Sequence, residues 1–172
     1  MTSVPTKNTW DLKPLSVDAI PAALEKAKHY RLLNEPGAAE SICRDIIRVK
    51  PGDQETLIVL LLAMSDHFGH GYTVAHQNID EVIEQITDDY KRVYYAGLVC
   101  ERRALAQLKQ GSPGSSFNAY ECLREAMSLY EKAERLRSAG NDDPILRWNH
   151  CVRLIERNRL EARPDSDEMQ LE

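Results

Sequence analysis

Three histidines, His67, His70 and His76, crowd one short segment between two apolar stretches. Neutral imidazole is a good ligand for zinc, copper or nickel. Their spacing matches no established metal motif, and no cysteine lies in the same segment. No metal site and no cofactor is therefore assigned. Turn histidines more often face solvent or cap a helix, and metal binding by His67, His70 and His76 stays an open alternative. Asp88-Asp89 and Asp142-Asp143 are paired acids at expected helix starts. There they suit the helix dipole and can cap free N–H groups, which is a simpler role than acid–base catalysis. Gly111-Ser112-Pro113-Gly114-Ser115-Ser116 lacks the spacing of a phosphate loop and follows no strand, so it reads as a hinge. No Ser–His–Asp or Cys–His set has a supporting local motif. No catalytic residue is assigned, and the chain is not read as an enzyme.

The elements that carry these residues are helices. From Ile20 to Pro51 apolar residues recur in the order Ala27, Tyr30, Ala39, Cys43, Ile46. Asn34, Pro36 and Gly37 break the chain in the middle, and Pro51-Gly52-Asp53 stops it. Helical stripes then predict helices over Gln54–Phe68 (Leu57, Leu60, Leu61, Met64) and Ala75–Thr87 (Ile79, Val82, Ile83, Ile86). The next pair is longer, about Tyr90–Gln110 and Phe117–Arg137, with Gly97, Ala126, Tyr130 and Ala133 at close-packing positions. A lone helix opens at Pro144 and runs to about Leu160, with Trp148, Cys151, Val152 and Ile155.

This order of small and large residues resembles the tetratricopeptide repeat (TPR), a helix–turn–helix unit of roughly 34 residues. The resemblance covers about Ile20–Leu160 and departs from the family at Leu61, where a small residue is preferred. It implies an all-α fold: a TPR-like right-handed superhelix of antiparallel helix pairs, with an elongated third pair and a solitary C-terminal capping helix. Residues 17–160 form the repeat domain. Residues 1–16 are expected to be a flexible N-terminal segment, and 161–172 an acidic flexible tail carrying Asp165, Asp167, Glu168 and Glu172. The third pair is expected to project about two turns beyond the stack. Its outer stretch, Leu105–Leu123, is expected to be removable without loss of the fold.

Composition fits one globular domain: 42% hydrophobic, 28% charged, over 172 residues. A net charge of −5 without a basic stripe disfavours nucleic acid and anionic membrane as partners. The longest apolar run, Leu57–Met64, is too short to span a bilayer, and Met1–Pro14 lacks the apolar core of a secretory signal. Cys43, Cys100, Cys122 and Cys151 show no CxxC pairing. Buried reduced thiols and a cytoplasmic location are expected.

In the family, the first helices of successive repeats line a concave groove. The resemblance places Leu24, Lys28 and Arg31 there from the first helix, and Glu55, Ile58 and Leu62 from the second repeat. Lys91, Tyr94, Leu98 and Glu101 follow from the third, and Ile145, Trp148 and Val152 from the last helix. The middle of this surface is apolar, and an apolar band of that size needs a cover. A partner protein or peptide, a second copy of the chain in a homodimer, or the chain's own Met1–Ser16 would supply one. The family's grip on a chaperone's C-terminal carboxylate is not matched, because Glu25, Val59 and Tyr95 stand where clamp residues belong and only Asn149 fits. The expected function is a protein–protein interaction scaffold with a mainly apolar groove. A self-associating structural subunit and a metal-responsive adaptor are the alternatives.

Overall fold

The computed structural model describes residues 10–68 and 76–164, with side chains from 78 in the second stretch. The expectations placed on Met1–Thr9, on His70 and the His76 side chain, and on Asp165–Glu172 lie outside the described residues. Among those described there is no strand. The helices are α1 (Ile20–Leu32), α2 (Pro36–Val49), α3 (Gln54–Asp66), α4 (His76–Glu84), α5 (Asp89–Gln110), α6 (Ser115–Leu136) and α7 (Asp143–Asn158), after a single 3-10 turn at Val17–Ala19.

Each boundary has a local cause. Asn34 takes a left-handed conformation (φ 59°) after α1, and the Glu35 N–H bonds back to the Tyr30 carbonyl, so the chain reverses within three residues. Pro36 then opens α2, where its missing N–H costs nothing. Asp53 and Asp88 cap α3 and α5 by accepting from the Thr56 and Lys91 N–H groups. Gly111 and Gly114, both at positive φ, form the turn between α5 and α6. Asp142 precedes α7 without capping it and pairs instead with Arg137.

Successive helices pack pairwise around two hydrophobic clusters. The first collects buried residues of α1 to α4, Ile86 just before α5, and Val99 of α5. The second joins α5, α6 and α7. Helix α3 lies at the centre of the first, buried on nearly every side from Thr56 to Ser65, and Leu61 is fully enclosed. Ala27, Ala39, Ala126 and Ala133 are completely buried at helix contacts. Gly97 is buried where the Tyr130 ring crosses α5.

Helices α5 and α6 have 22 residues each, against 13 and 14 in α1 and α2. The outer stretch Leu105–Leu123 is held together by its own buried side chains. Ala119 and Leu123 are fully buried in the second cluster. After α7, Arg159 turns left-handed (φ 51°) and the chain doubles back. Leu160 is buried, and Arg163 lies over the Phe117 ring and donates to the Asn118 side chain (3.1 Å). One flank of the α6 start is thereby covered. His67 also departs from expectation: it is buried, with Nε2 3.3 Å from the Glu40 carboxylate.

Candidate protein-binding surface

Helix α1 sets Lys28 and Arg31 one turn apart on the side facing α3. Lys28 Nζ bridges Glu25 on its own helix and Glu55 on α3, 2.6 Å from each. Those two bonds, Glu25 first, raise its pKa to about 12. Arg31 Nε donates to Asp66 Oδ2 at 2.7 Å. From the other side, Arg102 on α5 reaches Asp66 Oδ1 at 2.8 Å and donates to the Leu62 carbonyl at 2.9 Å and to the Ser65 hydroxyl. One carboxylate at the end of α3 thus holds guanidinium groups from α1 and α5. Burial lowers the Arg102 pKa, Asp66 opposes that, and the charges of Arg31 and Arg147 add to the lowering.

A second node lies between α5, α6 and α7. Glu101 is 2% exposed. It accepts from the Tyr130 hydroxyl of α6 at 2.6 Å and from Arg147 of α7 at 3.2 Å, with His150 Nδ1 at 3.8 Å. A buried carboxylate needs such partners to remain charged. Burial, then the adjacent Glu101 charge, pushes the Tyr130 hydroxyl well above the ordinary tyrosine range. Arg147 is held above its usual value: burial works against its charge, but Glu101 and a bond to Tyr94 outweigh it. Tyr94 stacks on Tyr90 (5.7 Å between ring centroids) and meets Tyr95 edge-on and Tyr130 at a tilt.

The expected groove residues divide against this geometry. Lys28 and Arg31 stand at the α1–α3 boundary, and Ile58, Leu62 and Tyr94 are half-buried. Lys91 is exposed at the start of α5. Leu24 (6% exposed) and Leu98 (5%) are core residues and offer no groove surface, which corrects both assignments. Trp148 is displaced as well. Its indole N–H donates to Glu131 of α6 at 3.2 Å, and Val152, one turn on, packs with it on the second cluster. The α5-facing places on α7 belong to Arg147 and His150. A helix with two packing neighbours carries two buried stripes, and the periodicity of α7 does not say which stripe meets which neighbour. Glu25 and Val59 are explained too: one pairs with Lys28, the other is core.

The face running across α1, α3, α5 and α7 is accordingly mixed. Ile58, Leu62 and Tyr94 form its apolar part. Asp66, Arg102, Arg147 and His150, which sequence reasoning missed, form its polar part. The partners of these four lie on other helices, so no local spacing marks them. Among the described residues, no group of three or more His, Cys, Asp or Glu side chains stands in an arrangement that would hold a metal. Among the described residues, no helix is long and apolar enough to cross a membrane. Set against known proteins, the chain matches no family model, no curated protein and no solved structure.

Proposed function

We propose that this chain is a TPR-like scaffold, a right-handed superhelix that binds a segment of another protein on the face built by α1, α3, α5 and α7. One observation carries the reading. The odd-numbered helices lie in sequence, each tied to the next by ion pairs: Lys28–Glu55, Arg31–Asp66–Arg102, Glu101–Arg147. The result is one surface with Ile58, Leu62 and Tyr94 half-accessible between charged groups. Its role is recognition rather than catalysis. Three buried free thiols support a reducing, cytoplasmic setting.

The experiment is a capture from lysate of the source organism with the parent chain and an Ile58→Ala/Leu62→Ala variant. Both side chains are half-buried, so their truncation removes contact area without opening the centre of the core. Capture is expected to weaken by about tenfold while the circular dichroism spectrum is kept. Added salt is expected to change that loss little, since it comes from apolar contact. Loss reproduced by charge reversal at Lys28, Arg31 or Lys91 alone, and abolished capture in moderate salt, would replace the apolar ligand with an acidic one. The homodimer reading predicts instead that the same variant halves the sedimenting mass at low concentration.

A further inference from the structure

The first helix pair carries a cleft of about 320 Å³. Leu15 and Ala22 and Ala23 of α1 line it together with Ile42 of α2, and Lys26 and Asp45 are its charged members. Its volume is at the low end of the range for small organic molecules, so it suits one side chain rather than a helix. Lys26 is exposed and pairs with no acid among the described residues. Asp45 has Arg48 at 3.8 Å, beyond hydrogen-bond reach. The cleft shares no residue with the Ile58–Leu62 surface, so the two readings stand or fall independently.

We infer that this cleft is a socket for Trp10 of a second copy of the chain, and that two copies exchange these side chains about a two-fold axis. Trp10 is 87% exposed, the barest of the large apolar side chains described. An indole answers each chemical part of the cleft. Its ring covers Ala22, Ala23 and Ile42, its N–H donates to the Asp45 carboxylate, and its face attracts the Lys26 ammonium. Leu32 is nearly as exposed, at 85%, but would leave both charged groups unanswered. The chain's own Trp10 is led away from the socket. No helix or turn folds residues 10–16 back. Ser16 is extended (φ −74°, ψ 144°), and Pro14 biases Lys13 the same way. The five residues from Leu15 back to Trp10, when extended, span about 17 Å. The plug is thus presented to a neighbour, while the socket stays open beside its root. A surface holding both halves of one contact closes as a symmetric pair, each copy filling the other. Two indoles bury far less area than a standard interface, so the pair is weak and forms at micromolar concentrations and above.

The test is sedimentation velocity of the full chain from low to high micromolar concentration, with tryptophan emission read in parallel on a Trp148→Phe background. Sedimenting mass is expected to rise towards that of a dimer, and Trp10 emission to shift to the blue over the same range. Trp10→Ala and Ala22→Glu are each expected to weaken the association about tenfold or more. Both positions are exposed, and a glutamate in the first turn of α1, one helical turn before Lys26, suits a helix. An unchanged circular dichroism spectrum verifies folding. The Ile58→Ala/Leu62→Ala variant is expected to associate as the parent does. The inference is overturned if the chain stays monomeric throughout, or if either Trp10→Ala or Ala22→Glu associates as the parent does. Trp10 emission already blue at the lowest concentration also overturns it, giving the cleft to the chain's own indole. So does association lost only in the Ile58→Ala/Leu62→Ala variant, which would give the dimer to that surface.

Discussion

Asp53 shows how much one side chain holds at a helix entry. Its carboxylate accepts from the Thr56 N–H (3.1 Å), the Thr56 hydroxyl (2.7 Å) and Lys50 Nζ (2.6 Å). The Lys50 bond, then the Thr56 bonds, hold its pKa below the usual carboxylate value. A depressed carboxylate stabilises the fold above its unfolded pKa, near 4, and that stability is lost as pH falls through the lower native value. Asp53→Ala is therefore expected to cost about 1 kcal/mol at neutral pH. In urea melts the deficit should shrink as the pH is taken below 4; a deficit independent of pH would contradict the cap's ionic character. The thiols behave in the opposite sense. Burial pushes Cys43, Cys100 and Cys151 up to about 12. Their stabilisation is present below the ordinary thiol pKa, about 8.5, and is lost as pH climbs through the native value. At neutral pH a thiol reagent should modify half-buried Cys122 first and the other three only on unfolding; rapid labelling of Cys43 in the folded chain would refute this.

The pairing of α5 with α6 rests on Gly97. A Cβ there would stand 2.8 Å from the Tyr130 Cε1 atom. The ring cannot swing away freely, because its hydroxyl holds Glu101. Gly97→Ala is thus expected to destabilise the chain by roughly 1–3 kcal/mol in thermal or urea unfolding, and an unchanged midpoint would show that the ring yields. Gly97 and Tyr130 were legible in the sequence as a small and a large residue at matching repeat positions. So was α5, which starts one residue earlier than expected, at Asp89. The helices were readable because caps, breakers and apolar period all act within a few residues. Helix α4 is shorter than its apolar stripe, ending at Glu84, although Ile86 beyond it is fully buried. The groove was legible only in part. Leu24 and Leu98 carry the same stripe whether they face the core or a cleft, and the Asp66 and Glu101 nodes depend on residues 29 to 49 positions away.

Among the described residues the core falls into two hydrophobic clusters, and Asp66 is where charges from the helices of both converge. Arg31 belongs to the helix that opens the first cluster, Arg102 to the helix that opens the second. Asp66→Asn leaves both part-buried guanidinium groups short of a charged partner, at a cost of roughly 1–3 kcal/mol. In calorimetry the single unfolding transition is expected to broaden towards two, one for each cluster, with the starting helicity preserved. A sharp transition merely moved to lower temperature would show that Val99 and its neighbours suffice to couple the clusters. Sharing one carboxylate between two arginines has a further consequence. Replacing Arg102 by Gln leaves Asp66 to Arg31 alone. The holds on α1 and on α5 are then linked through one carboxylate, and linkage is reciprocal. Amide exchange at the end of α1 is expected to slow in Arg102→Gln, and exchange in the middle of α5 to slow in Arg31→Gln.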